Sequence, residues 1–366
     1  MKRFLPVFLI VCLLLCACSP AQGETEPSTQ QQTQTTAPST VVTEPVESTE
    51  PTTQPTEPET EPVAQYIHPL TGEALEEPMT ARPFLVTINN ARAALPLLGV
   101  GDADIVYEML TNGYSTRLLA VLTDVSDIEL IGAIRSLRYG FVDIARSMDG
   151  IVVHAGGNTP IIDYLKQSGV TNSNALNSGG GYFRDQNRLN AGYAKEHTLV
   201  AIPSVMVNYV QSRGIPVTTD GTRDYGMRFT KDGTPEGGAT ANVIAMSFFT
   251  GNKTTTMNYN ASTGLYEFSQ YGSTMVDGNT DKVISFRNVF TLYADTVNQD
   301  VYHVADLVGT GNGYYACGGK LVPIIWHHEN PDAAFTYTLQ DGTPLEQGVG
   351  TSYIGIIPTG SAFYYQ

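Results

Sequence analysis

The chain has 366 residues with 36 Asp and Glu against 20 Lys and Arg, a formal charge of −16. A surface this acidic repels phosphate backbones and anionic lipid head groups, which argues against nucleic-acid binding and against membrane attachment through a basic patch. Of four cysteines, three (Cys12, Cys16, Cys18) lie in the first eighteen residues. Cys317 is left without an internal disulfide partner, so the fold must rest on an apolar core, which a chain of this length can bury.

In chain order, Lys2 and Arg3 precede an apolar run from Phe4 to Leu15. About twelve residues are too few to span a bilayer but suit the apolar core of an export signal. Leu15-Cys16-Ala17-Cys18 then resembles the bacterial lipobox. We therefore expect a signal peptide over 1–17, acylation at Cys18 and an extracytoplasmic location on the cell membrane. More than one acyl chain is needed for stable anchoring. Residues 18–65 read as a disordered tether, with eight Glu, no Lys or Arg, and Thr-Glu-Pro starting at Thr25, Thr43, Thr49, Thr56 and Thr60. Such a segment cannot offset its ordering entropy and reaches from roughly 40 Å as a coil to roughly 150 Å as polyproline II.

Alternating β-rich runs predict strands over 84–90, 104–110, 117–123 and 128–134. Phe141, Ile144, Ala145 and Met148 predict a helix over 138–148. Residues 150–155 read as a buried strand, with further helices over 160–167 and 203–212. Beyond Gly214 the texture changes to short β-type runs at 242–249, 254–259, 264–269, 283–293, 313–317, 321–326, 335–339 and 353–357. Asp-Gly pairs at 220–221, 232–233, 277–278 and 341–342 read as tight turns. The fold class is mixed, α+β or α/β. An amino-terminal α/β domain with a mixed sheet and helices (66–213) leads through a connection (214–238) into a mostly antiparallel, β-rich carboxyl-terminal domain (239–366).

Arg135 and Arg138 follow the run 128–134 with Ser136 between them. Two guanidiniums offer fork-shaped donors to a carboxylate or phosphate. The alternative is internal pairing with Asp104, Glu108 or Asp143. His154, Gly156 and Gly157 end a strand ahead of a helix that Asn158 or Thr159 can cap, an arrangement able to hold an anion at the helix start or simply to pack a corner tightly. His154 is the one candidate acid/base, and His197 in a polar loop could join it. No nucleophile and base pair stands out. His327-His328-Glu329 has neighbours on opposite faces of a strand and no metal-ligand spacing, so no metal or other cofactor is implied. Trp326 and Cys317 read as core.

Several segments follow in an order that resembles the YerB-like bacterial lipoproteins. They are His68-Pro-Leu-Thr-Gly72, Arg82 to Asn90, Ala103-Asp-Ile-Val-Tyr-Glu108, Thr116-Arg-Leu118, Ile131 to Ser136, Val153-His-Ala-Gly-Gly157, Gly319 to Trp326 and Gly350-Thr-Ser-Tyr-Ile354. The resemblance covers about 68 to 358, with His68 where Asn is more usual and no Pro just ahead of His197. It implies amino- and carboxyl-terminal domains of unassigned function, anchored outside the cell by lipid. It also implies a polar signature of Asn89, Asn90, Asp104, Glu108, Arg117, Arg135, Ser136, Arg138 and His154, beside the glycines. The expectation is a binding or partner-interaction module for an envelope protein or wall component. A hydrolase or transferase using an Arg/His cleft, and a scaffold for wall enzymes, are the alternatives.

Overall fold

A computed structural model describes residues 66–177, 179–299 and 301–366. The export segment, Cys18 and the tether lie outside the described residues. The principal elements are β1 (Phe84–Asn89), β2 (Ile105–Asn112), β3 (Ser115–Leu122), α1 (Tyr139–Ser147), β4 (Ile151–His154), α2 (Thr159–Ser168), β5 (Asn172–Asn174) and α3 (Pro203–Ser212). The second half adds β6 (Val243–Phe249), β7 (Lys253–Asn260), β8 (Leu265–Gln270), β9 (Asn288–Ala294), β10 (Thr296–Gln299), β11 (Tyr302–Ala305), β12 (Gly309–Cys317), β13 (Lys320–His328), β14 (Ser352–Pro358) and β15 (Phe363–Tyr365). The architecture is mixed, with helices packed on the amino-terminal strands and an antiparallel, strand-rich second half.

One 13-stranded sheet runs β13-β12-β9-β14-β2-β3-β1-β4-β5 through its principal strands. Late strand β14 lies between β9 and β2 and is parallel to both. β1, β4 and β5 are also parallel to one another, while β2, β3 and β1 pair antiparallel. Alternation along β3 sorts its side chains: Leu118, Ala120 and Leu122 enter one apolar cluster, Leu119 and Val121 the other. The second cluster receives α1 through Phe141, Val142, Ile144 and Ala145, and α2 through Ile161 and Leu165. The first receives α3 through Met206 and Val210, and a six-stranded antiparallel sheet through Met246, Phe248, Met257 and Phe268. Both faces of the central strands are covered, which explains why β1 is buried along its whole length. No helix among the described residues is long and apolar enough to cross a membrane.

One local expectation gives way. The run 128–134 forms a strand only at Ile131–Gly132. Ile128, Ile131, Ala133 and Ile134 are buried, and Gly132 bridges Leu98 and Val200 in place of a long ladder. The Asp277-Gly278 pair forms its expected turn, with Asp281 N–H donating to the Asp277 carbonyl at 2.8 Å, and it also serves as a dock: the Asp277 carboxylate accepts the backbone N–H groups of Val100 (2.8 Å) and Gly101 (3.0 Å).

Candidate functional site

The segment after Ile131–Gly132 crosses the carboxyl ends of β1 and β4. Asn89 N–H donates to the Ala133 carbonyl, Arg135 N–H to Thr87, Ala155 N–H to Arg135, and Leu137 N–H to Gly156, at 2.8 to 2.9 Å. These bonds fix Arg135, Ser136 and Arg138 beside Arg117, which pairs with Asn89 across β1 and β3. Two guanidiniums then converge on one oxygen. Arg117 Nη1 donates to the Ser136 carbonyl, and Arg138 Nη1 lies 3.4 Å from the same atom. Arg138 also donates to the Leu137 carbonyl (2.6 Å) and to Asn112 Oδ1 (3.0 Å), and its guanidinium lies 4.7 Å from the Tyr302 ring centre. Arg135 Nη1 reaches the Glu196 carbonyl at 3.4 Å.

Every one of these acceptors is neutral. Among the described residues no carboxylate lies within ion-pair distance of Arg117, Arg135 or Arg138. Yet Arg117 and Arg138 are only 7% and 8% exposed, and the Nε groups of Arg135 and Arg138 are buried without a hydrogen-bond partner. Burial pushes the Arg117 pKa down, and the charges of Arg138 and then Arg135 push it further. Burial lowers Arg138 as well, with Tyr302 opposing and Arg135 adding. Arg135 is lowered by burial, against the pull of Glu196.

The carboxylates that could have neutralised these arginines are engaged elsewhere. Asp104 accepts both the N–H and the hydroxyl of Thr123. Asp143 accepts the Tyr164 hydroxyl at 2.5 Å. Glu108, fully buried, accepts from Asn90 (2.9 Å), Thr116 (2.5 Å), Thr255 (2.8 Å) and Tyr353 (2.6 Å), and pairs with Lys253 at 3.2 Å. Gln270 completes that network by donating to Asn90 Oδ1. Asn90 and Glu108 therefore belong to an internal clamp between the main sheet and the six-stranded sheet, apart from the arginines.

His154 is 1% exposed. Nδ1 lies 3.0 Å from the Gly156 carbonyl and Nε2 lies 3.4 Å from the Asn172 side chain. Burial lowers its pKa, which holds the ring neutral. Asn158 caps α2 by accepting the Ile161 N–H, and Gly156 takes a left-handed φ of 68° at the corner. His197 does not meet His154; its Nδ1 accepts from Asn89 Nδ2 at 2.7 Å, at the margin of the arginine group. His327 bonds Thr338, whereas His328 turns inward against Phe335. Trp326 is core, its indole N–H bound to the Tyr293 carbonyl. Asn112 and Tyr302 escaped the sequence reading. Asn112 sits two residues past the apolar run 104–110, and Tyr302 arrives from the other half of the chain through a single pairing with Asn112.

Fold and site together define a layered, mixed α/β protein with a partly buried arginine cluster at the ends of its central strands. Two family models match it: Protein of unknown function (DUF3048) N-terminal domain over residues 70–215, and the C-terminal domain of the same family over 244–354. The chain belongs to this YerB-like family. It is 27% identical over 296 residues to a Bacillus subtilis (strain 168) protein named "Putative lipoprotein YerB", covering 79% of this chain and 86% of that one. The crystal structure of YerB from Bacillus subtilis superposes with a TM-score of 0.71 at 23% identity, over 82% of this chain and 100% of that one, and supports the fold.

Proposed function

We propose that this chain is a lipid-tethered binding module outside the cytoplasm, and that Arg117, Arg135 and Arg138 take an anionic group, phosphate or carboxylate, carried by an envelope component. The observation that carries the reading is the arginine cluster without a counter-ion. Removing a cation from water costs several kcal/mol unless an opposite charge repays it. A protein with 36 acidic residues had partners to spare, and supplies none here. An anion would supply the missing counter-charge, and the Nε–H groups of Arg135 and Arg138, buried and unpaired in the ligand-free chain, would reach it through a rotamer change. Asn89, His197 and the Ser136 side chain stand at the margin for further hydrogen bonds.

The anchor rests on the Cys18 motif and on the relative's name. The tether would hold the folded part away from the membrane and let it search the envelope. A catalytic use of the cluster would call for His154 at a cleft beside an acid, and its burial between a carbonyl and an amide favours binding instead. The test compares retention of the full chain and of an Arg135→Ala, Arg138→Ala double variant on envelopes from cells lacking the gene. The native chain should be retained and released by salt, and the double variant should wash through. Equal retention of both would end the proposal.

A further inference from the structure

A second concavity lies on the solvent side of the six-stranded sheet. We infer that this trough, floored by Thr254, Thr256 and Asn258 and walled by Ser269 and Thr274, binds a neutral oligosaccharide. Alternation along β7 builds it. Lys253, Thr255 and Met257 are buried toward the main sheet, which leaves Thr254, Thr256 and Asn258 facing out. Thr256 stands opposite Ser269 on β8, and residues 273–274 fold back along β8 as a wall. The result is an open trough of about 640 Å³.

Its chemistry is selective by what lines it. None of its lining side chains is charged, and none is aliphatic. Lys253, the nearest cation in sequence, is turned inward to Glu108 and Gln270. An anion finds no counter-charge here, a basic ligand finds only Glu267 at the edge, opposite Asn258 and already accepting from Asn260 Nδ2 at 2.8 Å, and an apolar ligand finds no apolar floor. A neutral polyhydroxylated chain finds hydroxyl and amide groups free to bond. The hydroxyls of Thr254 and Thr256 carry no protein hydrogen bond among the described residues, and Asn258 spends only its Nδ2, on Ser269 Oγ (3.0 Å). Exposed faces of antiparallel sheets are commonly polar. Here the polar face is also concave, and one end is held rigid. Tyr271 sits there with φ 56°, its hydroxyl donating to the Asn90 carbonyl at 2.6 Å. The inference does not depend on the arginine cluster, which belongs to a different set of strands.

Binding is measured by isothermal titration and by saturation-transfer NMR on the full chain. The probes are β-1,4-linked tetramers of glucose and of N-acetylglucosamine, with a hexuronate tetramer as the charged comparison. At least one neutral tetramer should bind saturably and better than the uronate. Thr256→Arg should weaken it by about tenfold or more, as should Asn258→Ala if Thr256→Arg fails to fold. The Arg135→Ala, Arg138→Ala variant should bind the sugar as the native chain does. No binding by either neutral tetramer, preference for the uronate, or native affinity in the folded trough variants would overturn the inference.

Discussion

At the scale of residues, the arginine cluster makes a prediction opposite to the usual effect of a buried substitution. Arg117 loses hydration without gaining a counter-ion, and Arg138 still reaches the Ser136 carbonyl if Arg117 is removed. Arg117→Met should therefore stabilise the ligand-free chain by about 1 kcal/mol, read from urea midpoints. Destabilisation of that size would mean the guanidinium is structurally compensated. His154 gives a pH test. Its folded-state pKa lies below the ordinary 6.5, mainly through burial. Between those two values the unfolded chain binds more protons, so stability falls as pH drops below about 6.5 and levels off beneath the folded-state pKa. His154→Asn should remove that slope, which is at most about 1.4 kcal/mol per pH unit. Arg117 came only with the family resemblance, whereas Arg135 and Arg138 were legible in the sequence because cations crowded into an acidic chain need an explanation. Their lack of acidic partners was not, since Asp104, Glu108 and Asp143 stood as candidates until their bonds to Thr123, to Lys253 and its neighbours, and to Tyr164 were seen.

At the scale of elements, periodicity read most strands and helices well where side chains face two distinct environments. β1, β2, β3, α1, α2 and α3 fall within a few residues of their expected bounds. It failed at 128–134, where burial produces the same apolar composition without a ladder. It also merged residues 283–293, which the structure breaks between Phe286 and Asn288 as Arg287 turns aside to Gly264 and Asp232. The Asp277-Gly278 pair shows that a turn motif can serve long-range docking. Asp277→Ala leaves the buried Val100 N–H and the neighbouring Gly101 N–H without their carboxylate, and should cost about 2 kcal/mol. A midpoint unchanged from the native chain would show the dock to be incidental.

At the scale of the whole molecule, the two family domains contribute strands to one sheet. β14 lies between β9 and β2, and Glu108 on β2 is satisfied by Lys253, Thr255 and Tyr353 from the second half. Composition marked a change near Gly214 but carried no sign of this pairing, because a parallel partner is chosen by three-dimensional register and not by local pattern. Residues 66–213 and 239–366 made as separate fragments should each lack a cooperative unfolding transition and regain one on mixing. Two independent transitions would separate the halves. The central claim, that the arginines await an anion, is tested most directly by NMR of the arginine Nε–H groups during titration with inorganic phosphate. The account predicts saturable shifts and slowed hydrogen exchange at Arg135 and Arg138, absent with Arg117→Met. Signals that stay unchanged across the titration, or that move alike for every exposed arginine, would contradict it.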